Sequence, residues 1–236
     1  MEFARAGESA CVAASPAVCA PPRAVAARRG RVNAVDGFFV VTTALFLFTC
    51  AFAYHDRWNT YAGPGRIAEF LLYAGVVLAG IAAAWTFLRR VPFPVWLVVL
   101  VELGVLAHFA GGVVSFGGLR LYGHELFGCR YDKYVHLAAA FIGALVVQES
   151  GRLAGLPVNR ATRVLAFLAL LGIGGLVELA EFAVIRTVPR HSVDGFTDTM
   201  GDLCANVVGG ALYLGFGARV ADRLSPRCAD EAEASP

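Results

Sequence analysis

Six uninterrupted apolar runs, each long enough to cross a bilayer as a helix, constrain this chain more than any other feature. They cover about residues 36–54, 67–88, 93–114, 133–150, 162–186 and 200–218. Lipid offers no water to satisfy backbone N–H and C=O groups, so each run is predicted to be helical. Composition agrees. The chain is 58% hydrophobic and 16% charged, where an average soluble domain carries about 25% charged residues. The expected fold is an all-α, polytopic integral membrane protein with about six transmembrane helices. The membrane domain is expected over 34–220, between disordered cytoplasmic tails at 1–33, rich in Ala, Pro and Arg, and at 221–236. The first run is too long and too late for a cleaved signal peptide.

Net charge is only +2, and thirteen of the 20 basic residues fall before the first run or in the connections after the second, fourth and sixth. The positive-inside rule then places both termini in the cytoplasm. Of the six cysteines, only Cys129 falls on the outer side, so an external intrachain disulfide has no second partner. Membrane lipids are the expected partners, and no nucleic-acid partner is expected. The longest outer connection, residues 115–132, mixes Leu, Tyr and Phe with Arg120, His124 and Glu125. It is expected to lie along the interface as a half-buried loop or a lid.

Ionisable residues then stand out by their placement. Asp132, Lys133 and His136 open the fourth span; Glu178 and Glu181 lie near the outer end of the fifth; Asp198, Asp202 and Asn206 begin the sixth. Residues three or four apart share a helix face. Asp132 and Lys133 therefore sit near His136, Glu178 pairs with Glu181, and Asp198, Asp202 and Asn206 descend one face in steps of about 6 Å. A charge at mid-membrane costs about 2.5–3.5 kcal/mol, so these groups are expected to face one another across a polar pocket. If all six acids (Asp132, Glu178, Glu181, Asp194, Asp198 and Asp202) converge with the three basic residues Lys133, Arg186 and Arg190, three negative charges lack a partner. The surplus is relieved by protonating carboxyls, by protonating His136 or by binding a divalent cation such as Mg²⁺, Mn²⁺ or Zn²⁺.

Structural roles compete with these at each position. Asp198 and Asp132 are suited to capping their helices, and Lys133 to snorkelling towards the headgroups. Glu178 and Glu181 could form a salt-bridge network with Arg186 and Arg190. Glu102 and His108 of the third span fit polar packing, with His108 near enough to reach the cluster. Gly172, Gly174, Gly175, Gly209 and Gly210 fit close helix packing.

The run "RYDKYVHLAAAFIGALVVQE", followed by "VELAEF" and "DTMGDLCANVVGGALYLG", resembles the YjdF-like family of uncharacterised bacterial inner-membrane proteins and, more distantly, the VanZ-like family linked to teicoplanin resistance. Asp132, Lys133 and His136 match an Asp-basic-x-x-His element. Glu178 and Glu181 match Glu-x-x-Glu, and Asp198, Thr199 and Asp202 match Asp-Thr-x-x-Asp. Asn206 and Gly209 resemble the VanZ-type Asn-x-x-Gly. The resemblance covers roughly residues 90–215 and implies a membrane fold without an established reaction.

Function is therefore expected to centre on an acidic, histidine-containing pocket at the outer face that binds an anionic lipid or cell-envelope molecule. A metal-dependent hydrolase or transferase acting on a lipid-linked substrate, and a proton- or cation-coupled transporter, stand as alternatives. Catalytic candidates are His136, Glu178, Glu181 and Asp202, and ligand-binding candidates are Lys133, Arg190 and Asn206. Asp198, Asp202 and Glu178 are candidate metal ligands, with Asp132 orienting His136.

Overall fold

The apolar runs do become helices, and each continues into the polar turns at its ends. A computed structural model of the chain describes residues 34–62, 66–88, 93–187 and 195–225. In chain order the helices are α1 (Ala34–Ala62), α2 (Arg66–Leu88), α3 (Val95–Val113), α4 (Tyr131–Leu153), α5 (Arg160–Thr187) and α6 (Phe196–Leu212). A π-helical turn, Tyr213–Gly217, joins α6 to α7 (Ala218–Leu224) without a break in direction of chain. Among the described residues, five helical stretches are long and apolar enough to cross a membrane, while α2 contributes a shorter apolar stretch, Ala74–Ala83. The last helix runs four residues past the expected boundary at 220, and Ser225 beyond it is buried. The expected tail over 1–33 and the final residues from 226 lie outside the described residues.

Side chains are distributed as lipid requires. Phe48, Phe52, Leu72, Leu165, Leu176 and Leu179 face outward, whereas Glu102, Asp132, Glu149, Glu178, Asp202 and Asn206 are buried. Apolar groups lose nothing by facing lipid, and charged ones lose their hydration, so the bundle turns its polar groups inward.

α4 is the central helix. It packs on α3, α5 and, most extensively, α6, while α1 packs on α3 and α2 on α1. The closest approach is made by Gly209 of α6, where an added Cβ would stand 2.1 Å from the Leu137 carbonyl oxygen of α4. Gly210 likewise admits the Phe167 ring of α5, and Gly174 admits Asn206, but Gly172 and Gly175 face open space. Small residues thus set the α4–α6 spacing. The expected packing role holds for Gly174, Gly209 and Gly210 but not for the other two.

The connection between α3 and α4 contains two minimal hairpins, which leave the fold class all-α. β1 (Ser115–Phe116) pairs with β2 (Leu119–Arg120), and β3 (Glu125–Leu126) pairs with β4 (Cys129–Arg130). Both turn residues have positive φ in each: Gly117 (57°) and Gly118 (85°), then Phe127 (51°) and Gly128 (79°). Two-residue turns of this hand match the twist of antiparallel strands and favour Gly or Asn. Phe127, 102% exposed, is the exception. A left-handed conformation costs such a residue about 1–2 kcal/mol. Phe127→Asn is therefore expected to stabilise the protein by about 1 kcal/mol, seen as a higher midpoint in thermal unfolding in detergent. An unchanged or lower midpoint would show that the ring makes an interaction outweighing the strain.

A bonded charge cluster at one end of the bundle

The N-terminal turns of α4 and α6 lie side by side and bring their acids together. α6 begins after Gly195, which occupies the N-cap position with no side-chain cap, and Asp198 is the third helical residue. Asp198 consequently does not cap. Its Oδ1 instead accepts from Lys133 Nζ at 2.5 Å and from Arg130 Nη1 at 3.0 Å. Asp132, the second residue of α4, serves the first turn from inside the helix: Oδ1 accepts the Lys133 backbone N–H at 2.9 Å, and Oδ2 accepts from Lys133 Nζ at 3.1 Å. Its carboxylate is thus directed to Lys133 and not to the expected task of orienting His136.

Lys133 does not snorkel. Its ammonium turns into the bundle and also donates to Asp202 Oδ1 at 2.8 Å and to the Asp198 carbonyl at 3.1 Å. It can do so because residue 201 is glycine, where a Cβ would stand 2.8 Å from Lys133 Cε. Three carboxylates around one ammonium suit the three protons it can donate. Arg130 supports the arrangement with a second, looser approach to Asp132 at 3.6 Å.

One turn deeper, the carboxylate of Asp202 meets a second set of groups. His136 Nε2 lies 3.4 Å from Asp202 Oδ1, and His136 Nδ1 lies 3.9 Å from Glu178 Oε1. One ligand-type atom from each of His136, Glu178 and Asp202 falls within 4.8 Å of the others, and the same holds for Asp132, Asp198 and Asp202. Asp202 is the shared member. Glu178 is 3% exposed, yet neither carboxylate oxygen has a hydrogen-bond partner; the Thr199 hydroxyl stands beside it without closing a bond.

The remaining candidates divide. Glu181, half-buried on α5, stands in the field of Asp202 and Asp198. Asn206, one turn below Asp202, is buried with Nδ2 over Gly174 and without an acceptor. Arg186 is exposed, which removes the support for its expected bridge to the buried Glu178. Arg190, with His191 and Asp194, lies outside the described residues.

Among the described residues, five acids gather here, Asp132, Glu178, Glu181, Asp198 and Asp202, around two basic side chains, Lys133 and Arg130. Counted over these residues alone, negative charge is in surplus. Arg130 is the member that sequence reasoning overlooked. Its position two residues before Asp132, at the mouth of α4, was the available signal. Above the cluster opens a cavity of about 510 Å³ lined by Arg130, Lys133, Gly195, Phe196, Thr197 and Asp198. His136, Glu178 and Asp202 are not part of this lining; Lys133 and Asp198 stand between them and the opening.

Other buried polar groups belong elsewhere. Glu102 accepts from the hydroxyls of Thr42 and Thr43 on α1, tying α1 to α3. His108 meets the Tyr122 hydroxyl at 2.8 Å rather than joining the cluster. At the opposite end of α4, the buried Glu149 accepts from Arg152 at 2.6 and 2.9 Å and from Ser225 at 3.3 Å. Beside it, Tyr213 donates to Gln148, Gln148 to Asp222, and Arg163 pairs with Asp222. Apolar packing among Leu97, Ala144, Leu145 and Ala166 lies next to this second network.

A family model described as a predicted membrane protein, DUF2238, matches residues 37–223. No curated protein and no solved structure matches the chain.

Proposed function

Because the chain belongs to DUF2238, a family of predicted membrane proteins, we propose that its cavity receives the anionic group of a membrane lipid or lipid-linked cell-envelope molecule. The observation that carries this reading is the lining of the cavity: the cluster's two cations, Arg130 and Lys133, beside the first turn of α6. Free backbone N–H groups and the helix dipole make such a turn receptive to phosphate or carboxylate. The outward apolar faces of the bundle would hold the acyl chains alongside. Asp198, on the same lining, opposes an anion unless its charge stays paired with Lys133 and Arg130. The excess of basic residues in the other connections favours the outer face of a bacterial inner membrane for this end, with both termini cytoplasmic.

The test is binding of phosphatidylglycerol against phosphatidylcholine by the purified full chain, with chelator present. Wild type should prefer the anionic lipid. Arg130→Gln should weaken that preference about tenfold, the equivalent of one charge-assisted hydrogen bond. Equal binding of both lipids, or an unaltered preference in a folded Arg130→Gln protein, would contradict the reading.

A metal-dependent reaction on such a substrate has its own support in the buried carboxylate of Glu178, which closes no hydrogen bond.

A further inference from the structure

We propose that His136, Glu178 and Asp202 form a binding site for one divalent cation of the Mn²⁺ and Zn²⁺ class. The site does not depend on the lipid reading, since it lies deeper and uses none of the cavity's basic groups.

Glu178 is the strongest reason. A carboxylate removed from water needs donors or a cation, and leaving it ionised with neither is costly. Neither of its oxygens closes a hydrogen bond, with the Thr199 hydroxyl and His136 Nδ1 only nearby, although the side chain is 96% buried. The nearby ammonium does not supply the lack. Lys133 is engaged by Asp132, Asp198 and Asp202, and none of those bonds reaches Glu178. Charge therefore separates the two acidic groups. The set formed by Asp132, Asp198 and Asp202 holds the Lys133 ammonium at its centre, whereas in the set on His136 that ammonium bonds only the shared Asp202, at 2.8 Å, and does not bond Glu178.

The ligand atoms fit the task. His136 approaches Asp202 through Nε2 and Glu178 through Nδ1, so only one of these contacts involves the liganding nitrogen. With one atom from each residue, the three lie within 4.8 Å of one another. Side-chain rotation has to draw them to the separation of about 3–3.4 Å set by metal bonds of about 2.1 Å. One imidazole nitrogen with two carboxylate oxygens is a mixed donor set. Imidazole favours transition metals over Mg²⁺ and Ca²⁺, and the carboxylates keep Mn²⁺ competitive. Three protein ligands leave a coordination position for water or for an oxygen of a bound molecule. A divalent ion also cancels two of the surplus negative charges. The ligands come from α4, α5 and α6, so the ion would bond three helices at the level of Asp202.

Mn²⁺ is the probe of choice, because the chain's thiols bind it weakly. The full chain, purified in mild detergent and stripped with chelator, is titrated with Mn²⁺ while free ion is followed by its electron paramagnetic resonance signal. Wild type should take up one ion per chain, with nitrogen modulation from a bound imidazole, and should melt at higher temperature as Mn²⁺ is added. Glu178→Gln should weaken binding by at least about tenfold, and His136→Gln should abolish the nitrogen modulation. Glu125→Gln, an exposed acid of the second hairpin, should bind as wild type does. Should Glu178→Gln fail to accumulate, His136→Gln carries the test alone. Absence of stoichiometric uptake by wild type, or uptake with unchanged affinity and modulation in His136→Gln, would overturn the proposal. Lipid preference measured in chelator fails or survives independently of either result.

Discussion

Lys133→Met is expected to destabilise the protein by about 3 kcal/mol, a loss most easily read as a fall in the midpoint of thermal or denaturant unfolding in detergent. The reason is the asymmetry of buried ion pairs. Forming one gains little over an apolar pair, but removing a single partner strands the others without hydration. Here one ammonium serves three carboxylates, at 3.1, 2.5 and 2.8 Å. Methionine fills the same volume and lies over Gly201 without difficulty, so the effect isolates charge rather than shape. The Lys133 and Asp198 side chains keep 19% and 20% of their exposure, which places the expected loss at the lower end of the range for fully buried pairs. A loss below about 1 kcal/mol, typical of surface pairs, would mean that water screens the cluster.

The second large effect is expected at Gly209. A methyl group there would lie 2.1 Å from the Leu137 carbonyl oxygen and 2.9 Å from its carbon. Both atoms are backbone in the middle of α4, so no side chain can turn away. The helices must part, and Gly209→Ala should cost about 3 kcal/mol or prevent accumulation altogether. Since α4 and α6 also carry Lys133 and Asp202, parting them lengthens the bonds of the cluster as well. Gly172→Ala provides the comparison: open space surrounds Gly172, and alanine suits a helix better than glycine by about 1 kcal/mol. Gly172→Ala should be neutral or mildly stabilising. Equal behaviour of the two variants would remove the close α4–α6 contact from the account.

How these features relate to the sequence differs from one to the next. The helices were legible because the bilayer permits so few alternatives. The fourth run was expected at about 133–150, and α4 spans Tyr131–Leu153. The shortfall at each end has a simple cause: a helix continues into the polar turns beyond the apolar window. The meeting of Asp132, His136, Glu178, Asp198 and Asp202 was legible from helical spacing together with the cost of exposing charge to lipid.

The bonding within that meeting was not. Nothing in the spacing says that Lys133 turns inward, since snorkelling is equally open to a lysine at a helix end. Gly201 decides it, by leaving room for the stem, and glycine in a membrane helix has too many other uses to be read that way. Asp198 looked like a cap because the start of α6 fell within a polar stretch of uncertain register; Gly195 takes the cap position. The network around Glu149 escaped notice for a related reason. Glu149 and Arg152 read as an ordinary i, i+3 surface pair, and only the packing of the last helix brings Ser225 onto Glu149 and Asp222 onto the neighbouring Gln148. The hairpins are shorter than any alternation the sequence can display, and their turn residues alone mark them.

The charges of α4 and α6 form one bonded cluster, with Lys133 bonded to Asp132, Asp198 and Asp202. A double-mutant cycle on Lys133→Met and Asp202→Asn measures that most directly. If the ammonium and the carboxylate bond as described, Asp202→Asn should restore part of the stability lost in Lys133→Met, with a coupling of about 2 kcal/mol. Strict additivity of the two single effects would contradict the cluster.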